Sequence, residues 1–381
     1  MVTPESLSVT VDALPLLGNP TGVGAFCRGA LTALSRQEGL HVSAYAVTWR
    51  RRASVRERLP AGVRLTHRAM PARPLHALWS TRDSPPLEWF VGRSDLIHGT
   101  NSDVPPARAA TLMTVHDLTP VRFPELSNRA SPNYPDLIRS ALRRGAWVHT
   151  DSEYVASEVR DVFGAPADRV RAIAPGIPRL ATVPPRAREQ AIDDVGLRGA
   201  RYILSVGTAE PRKDLPGLVR AFDAVAGADP DLLLVLAGPP GWGEGALDAA
   251  IGAAHNRDRV RRLGWVSDGV LATLIDGASL LAYPSIYEGF GFPPLQAMAA
   301  GVPVVASSAG SLPEVLGDAA CLVDPGDHDQ LAGALRNTME DDSARQLLIR
   351  RGRDRAATFS WTTFGTDMAQ LYRDVVQAHR G

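Results

Sequence analysis

The sequence predicts two α/β domains of similar size, each a parallel sheet covered by helices. Three observations carry that prediction. Strand-length apolar runs alternate with helical patterns along nearly all of the 381 residues, as βα units around a parallel sheet require. The alternation breaks once, near Pro178, in a stretch rich in proline and arginine. The chain is also long enough to fill two ordinary cores.

In chain order, Ser8–Leu14 reads as a strand, Val23–Ser35 as a helix and His41–Thr48 as a strand. Strands follow at Val63–Arg68, Leu96–His98, Thr111–His116 and Trp147–Thr150, with helical patterns at Pro135–Arg143 and Glu153–Phe163. Alternation restarts with a strand at Tyr202–Val206, a helix at Leu215–Ala226 and a strand at Leu232–Ala237. Val260–Leu263, Leu280–Tyr283, Pro303–Ala306 and Cys321–Val323 complete the strands, and the chain ends in a helical pattern over Phe364–Val376. The expected division is 1–178, a linker at 179–199, a second domain at 200–358 and a closing helix at 359–381. A cleft between two such domains is the default ligand site.

Composition narrows the function. An apolar fraction of 45% and a charged fraction of 22% are those of a soluble globular protein. Zero formal net charge gives no global field toward nucleic acid. No apolar run approaches the roughly 20 residues of a membrane span, and no secretion signal is read at the N-terminus. Cys27 and Cys321 are expected as buried free thiols in a reducing cytoplasm. No spacing of His, Cys and carboxylates reads as a metal site. A basic excess from Arg50 to Arg73 reads as a solvated face. The alternative is a patch that touches a membrane surface, which would place the protein peripherally at the inner membrane face, or an anionic acceptor.

Four features carry chemistry. Gly18-Asn19-Pro20-Thr21-Gly22-Val23-Gly24 follows the first strand and opens the first helix. Glycines there let backbone N–H groups reach an anion, though a plain strand-to-helix turn would look the same. His116, in Val115-His116-Asp117-Leu118-Thr119-Pro120, ends a strand on the side where open α/β sheets bind ligands. It could donate to a hydroxyl or move a proton, or be structural. Tyr283 to Gly301 forms a complete strand–loop–helix unit with Glu288 in a glycine-rich loop. Free N–H groups at that helix start would hold a phosphate. Lastly, Lys and Arg together number 41, and all but Lys213 are arginine. Arg212-Lys213 follows the first strand of the second domain and puts two cations where a diphosphate could sit without a metal.

These residues resemble the retaining GT-B glycosyltransferases that carry the E-x7-E motif, family four. The resemblance runs through Val206-Gly207-Thr208, Pro211-Arg212-Lys213, Leu263 to Asp268, Pro284 to Gly291, Gly301 to Ser307 and Leu312 to Val315. In the first half, Thr21 to Gly24 and Val115 to Pro120 match more loosely. It implies the GT-B fold: two Rossmann-like domains facing across a cleft, with the last helix crossing back to the first. It implies a nucleotide-diphosphate sugar as donor, held by the second domain, and a hydroxyl acceptor held by the first, with no cofactor and no metal. Carried over residue by residue, Lys213, Glu288 and His116 would be catalytic. Lys213 and Arg212 would contact the diphosphate, with backbone help from Gly22 and Gly24. Glu288, Gly289, Phe290, Gly291 and Phe292 would contact the donor sugar, His116 the sugar near the reacting carbon, and the backbone around Val266 the base. Mannosyl and rhamnosyl-like transfer fit the resemblance.

Two departures matter. The family's second Glu, which takes the ribose hydroxyls, is Gln296 here. An amide accepts on one side only, so a deoxyribose donor, an ordinary donor with a rearranged bond, and reduced activity all stay open. Ala25-Phe26 stands where relatives often have Arg-Tyr, which leaves more of the phosphate charge to Lys213. Two other functions compete: a weakly active or non-catalytic nucleotide-sugar-binding protein of the same fold, and, less favoured, an NADP-dependent oxidoreductase.

Overall fold

The computed structural model describes residues 6–17, 22–66, 68–79, 82–128 and 134–381. The chain divides into two compact units. One comprises Met1–Arg122, Arg129–Pro178 and Phe359–Gly381, and the other Phe123–Asn128 and Arg179–Thr358.

The first unit is built on β1 (Leu7–Asp12), β2 (Leu40–Tyr45), β3 (Arg64–Leu65), β4 (Leu96–Gly99), β5 (Ala110–Val115), β6 (Trp147–Thr150) and β7 (Val170–Ala172). They form one sheet in the order β3-β2-β1-β4-β5-β6-β7, and every pairing in it is parallel. The second holds β8 (Arg201–Val206), β9 (Leu232–Ala237), β10 (Val260–Gly264), β11 (Leu280–Tyr283), β12 (Val304–Ser307) and β13 (Cys321–Val323). Its order is β10-β9-β8-β11-β12-β13, again parallel throughout. Both sheets reverse winding once, between β1 and β4 and between β8 and β11. Such reversals open a crevice at the carboxyl ends of the two strands.

Strands buried on both faces read as apolar runs, which is why Leu232–Ala237 and Leu280–Tyr283 coincide with expectation. The expected first strand stops early, at Asp12, because Pro15 carries no N–H for a ladder and Leu14–Leu16 makes a 3-10 turn instead. The second strand ends with it, Asp12 opposite Tyr45. Of the expected strand Val63–Arg68, whose residue 67 lies outside the described residues, Arg64–Leu65 is strand. The stretch 179–199, expected as a linker, is part of the second unit. Pro184 and Pro185 start a helix over Pro185–Asp194 that packs on the helix Asp268–Gly277. Proline is compatible with a first helical turn, where its missing N–H has no partner to lose.

The last helix, Trp361–Arg380, packs on the helix Gly22–Leu34 and on β4 and β5 of the first unit. Its buried face is Phe364, Met368, Leu371, Tyr372 and Val375, each contributing about 1.5–3 kcal/mol by leaving water. Trp361 lies so close to Gly29 and Gly176 that a Cβ on either would fall within 2.3 Å of it. Both thiols are free as expected, but Cys321 is only half-buried.

Candidate functional site

The second unit's crevice is assembled from the ends of β8 and β11. After β8 the chain makes a short turn, Pro211–Lys213, and enters the helix Leu215–Ala226 through Asp214. Asp214 adopts a left-handed conformation, with φ of 45°, and its carboxylate caps the helix by accepting from the N–H of Gly217 at 3.1 Å. That sharp turn aims Lys213 inward. Its ammonium is buried and donates to Glu288 Oε1 at 2.5 Å and to the Tyr283 hydroxyl at 2.7 Å. It also lies 4.6 Å from the centre of the Tyr283 ring, a cation–π contact.

Arg212 completes the cluster. Its guanidinium reaches Glu288 Oε2 at 2.8 Å and Glu210 Oε2 at 2.9 Å. Two cations and two carboxylates therefore balance. Burial raises the pKa of the Glu288 carboxyl, but the charges of Arg212 and Lys213 outweigh it and hold the group down to about 2. Lys213 is pulled below the usual lysine range by burial and by Arg212, against the attraction of Glu288.

The Glu288 loop is fixed from behind. Its carbonyl accepts from the Ser311 N–H at 2.9 Å and from the Ser311 hydroxyl at 3.1 Å. Gly310, at φ of 57°, comes so close that a Cβ there would lie 2.3 Å from that carbonyl oxygen. Beyond the loop, Gly291 precedes the helix Phe292–Ala300. Pro293 and Pro294 bring no N–H to its first turn, so backbone donors there are confined to Gly289–Phe292 and Leu295. Phe290 is buried against Phe292, with ring centres 5.3 Å apart. Gln296 is half-buried on the same helix, and Val266 lies in the turn between β10 and the helix Asp268–Gly277.

The remaining expected site residues lie in the first unit. Gly22 and Gly24 open the first helix, while Gly18 to Thr21 lie outside the described residues. His116 follows β5 and is tied at both ring nitrogens. Nδ1 meets Asp151 Oδ2 at 2.6 Å, and Nε2 meets the Thr100 carbonyl at 2.9 Å. Burial lowers its pKa, but the charge of Asp151 outweighs that and raises it overall. As found, neither ring nitrogen is available to a substrate. Phe26, at the second departure from the family pattern, packs edge-on against His116 at 4.7 Å and stacks on His149 at 5.8 Å.

Several neighbours of the expected site residues escaped the sequence reading. Asp151 directly follows β6, and only the adjacency of β5 and β6 shows that it faces His116. Buried His98 and His149 share the Thr114 hydroxyl, and His98 also meets the Tyr372 hydroxyl at 2.8 Å. Burial keeps both histidines below their usual pKa, hence neutral. Glu210 and Tyr283 were in view as sequence but carried no spacing signal. Among the described residues no three His, Cys, Asp or Glu side chains could hold a metal ion.

Comparison with known proteins decides the family. The model for glycosyl transferases group 1 matches residues 172–355, and that for glycosyltransferase family 4 matches residues 20–179. The chain belongs to the group 1 glycosyltransferases. This glycosyltransferase is 29% identical to the O-antigen chain mannosyltransferase B of Escherichia coli over 368 residues, 95% of this chain and 88% of the relative. It is 29% identical to the MMP alpha-(1->4)-mannosyltransferase of Mycolicibacterium hassiacum over 67% of this chain, and spans 57% of that relative. In fold it is similar to a sucrose-phosphate synthase from Thermosynechococcus elongatus, with a TM-score of 0.76 at 21% identity over 98% of this chain and 100% of that one. It is also similar to HepE of Anabaena in complex with UDP-glucose, with a TM-score of 0.74 at 18% identity over 97% of this chain and 100% of that one. The fold of this glycosyltransferase is GT-B, and its closing helix packs on the first unit as the resemblance implies. The NADP reading is set aside by the family assignment.

Proposed function

We propose that this glycosyltransferase moves a mannosyl or similar hexosyl or deoxyhexosyl group from a nucleoside-diphosphate sugar to a hydroxyl acceptor, with retention and without a metal. The observation that carries the reading is the buried Lys213–Glu288–Arg212 cluster at the crevice of the second sheet. Its two cations are held by carboxylates until a stronger anion arrives. As the bond from the anomeric carbon to the diphosphate breaks, negative charge grows on the leaving oxygens. Preorganised cations stabilise that charge without reorganising, the part a divalent ion would otherwise play. Glu288, released from one cation, accepts hydrogen bonds from the donor's hydroxyls, and the leaving phosphate takes the acceptor's proton on the same face. The first unit holds the acceptor. For His116 to touch the donor sugar, Nε2 must exchange the Thr100 carbonyl for a hydroxyl. The 88% span of a mannosyltransferase supports mannose as the first donor sugar to try.

The test is turnover. Wild type is incubated with mannose, glucose and rhamnose donors together with a panel of sugar, glycolipid and other small-molecule hydroxyl acceptors, and release of nucleoside diphosphate and formation of the glycoside are followed with and without chelator. Release that persists with chelator, and a product of unchanged anomeric configuration, are expected. An inverted product refutes retention, and loss of activity on chelation refutes metal independence. Gln296 favours a second reading, a donor-binding protein with little turnover. Gln296→Glu raising activity more than tenfold would support it. Peripheral membrane contact is favoured by Trp49, which is 61% exposed beside exposed Arg50, Arg51 and Arg56. Sedimentation with anionic but not neutral vesicles is the expected result, and no sedimentation removes that contact.

A further inference from the structure

Asp214 carries a Cβ and yet holds a left-handed backbone. Such a conformation persists in a residue other than glycine only where its surroundings hold it, and it gathers at functional sites. The side chain shows what holds it. Oδ1 accepts from the Gly217 N–H, and Oδ2 accepts from Nε2 of His328 at 2.8 Å. His328 begins the helix His328–Glu340, which follows β13 and packs on the helix Leu215–Ala226. Position 217 is shaped for this meeting. Glycine is a poor helix former, but a Cβ there would run into both His328 Nε2 and Asp214 Oδ2. The two partners are shielded from most water, with the Asp214 side chain 14% exposed and that of His328 29%. Arg220 Nη2 lies 3.4 Å from each nitrogen of the ring. A guanidinium only donates, and Nε2 is committed to Asp214, so Nδ1 is the nitrogen that accepts from it. The ring is held from both sides in one orientation.

We propose that His328 is a positioning residue for the diphosphate cation: acting through Asp214, it sets the turn that carries Arg212 and Lys213. The proposal rests on the reading of Lys213 given above. The turn's own backbone bonds are local, from the Lys213 N–H to the Glu210 carbonyl at 3.0 Å and from the Asp214 N–H to the Pro211 carbonyl at 3.1 Å. They close the turn without setting its tilt on the helix that follows. Asp214 sets the tilt, and its carboxylate needs both oxygens to do so, one for the helix cap and one for the ring. If Oδ2 loses its donor, the strained backbone is free to relax, and the Lys213 ammonium swings away from Glu288 and Tyr283. The Arg212 carbonyl accepts from the Ile286 N–H at 2.7 Å, so the same movement pulls on the loop that holds Glu288. Preorganised groups act only in place: a shift of about 1 Å is enough to cost much of their effect. The role of His328 is to hold this geometry, as the outer partner of a ligating group does.

The experiment is calorimetric titration of the full chain with inorganic pyrophosphate, using His328→Gln and His328→Asn, each alone and combined with Lys213→Ala. Glutamine carries its amide nitrogen to the reach of Nε2, whereas asparagine carries it only to that of Nδ1. Both variants are polar, and thermal unfolding is run in parallel. His328→Gln should bind pyrophosphate within about threefold of wild type, and His328→Asn should bind it about tenfold more weakly. In the Lys213→Ala background the asparagine change should cost less than about twofold, because residues that act through one group are not additive. In the turnover assay kcat/KM should follow the same order, with glutamine near wild type and asparagine well below it. Wild-type affinity in His328→Asn overturns the proposal, and so does an equal loss in both variants, which marks a role in shape alone. A tenfold loss that persists without Lys213 also overturns it, since the ring then acts elsewhere. So does a lowered Tm with unchanged affinity, which marks a structural role. Lys213→Ala separates the two layers of argument. If it binds pyrophosphate as wild type does, the reading of Lys213 falls and the role of His328 with it. If it binds weakly while His328→Asn binds normally, only the role of His328 falls.

Discussion

Replacing Lys213 by alanine removes one of the two cations that face Glu288, and its cost can be worked from the site. The ammonium is 8% exposed, so water does little to screen it, and it is already oriented by Glu288 and Tyr283. A preorganised donor of this kind supplies about 3 kcal/mol of transition-state stabilisation. At about 1.4 kcal/mol per tenfold, kcat/KM should fall roughly 150-fold. Arg212 remains 2.8 Å from Glu288, so the carboxylate keeps a partner. The loss of stability should stay near that of one buried hydrogen bond to a charge, about 1.5–3 kcal/mol. Lys213→Met is the control, since it restores the apolar stem without the charge. The assay is nucleoside-diphosphate release under subsaturating donor, with denaturant unfolding run in parallel. Unchanged kcat/KM in the alanine variant would sink the role given to Lys213, and so would recovery of activity in the methionine variant.

Other expectations concern pH and backbone fit. The Glu288 carboxyl falls from an ordinary 4.5 to about 2 in the folded protein, so the stability its charge provides is complete above pH 4.5 and is lost as pH falls toward 2. Wild type should exceed Glu288→Gln by about 3 kcal/mol at pH 7, and the gap should close on acidification. A gap independent of pH refutes the assignment. Asp12 runs the other way: burial and the charge of Asp103 push it up to about 7. The unfolded chain releases that proton first, so stability drains as pH rises from 3.8 toward 7. Asp12→Asn should therefore raise Tm relative to wild type at pH 8 and match it at pH 3, and an equal shift at both pH values contradicts this. Gly310→Ala should cost at least about 1–3 kcal/mol for its left-handed backbone, and should reduce kcat/KM by displacing the Glu288 carbonyl. Normal kinetics in a fully folded variant would show that the loop tolerates the shift.

Much of the fold was legible because its signals are local. Asp214, Ser152 and Gly301 mark helix ends by their own chemistry, and doubly buried strands announce themselves as unbroken apolar runs. The Arg212, Lys213 and Glu288 group was legible for another reason: each residue follows a strand, and parallel strands deliver their ends to one edge. What stayed hidden depends on which strands are neighbours. Asp151 meets His116 only because β6 lies beside β5. Gly310 supports Glu288 from a segment more than twenty residues away, and nothing in its own sequence context says so. The helix at Pro185–Asp194 was masked by its prolines, which mark a helix start as readily as a linker.

The packing of the closing helix sets an order of events during synthesis. Phe26, near the start of the chain, is enclosed by Trp361 and Phe364, near its end. When the ribosome has delivered residue 178, the first sheet is present but its core still lacks one wall. The second unit, apart from the segment Phe123–Asn128, is a continuous stretch and can close around its own strands first. Of the two units, the one begun first is thus the one finished last, and chains interrupted before residue 361 leave Phe26 without its aromatic cover.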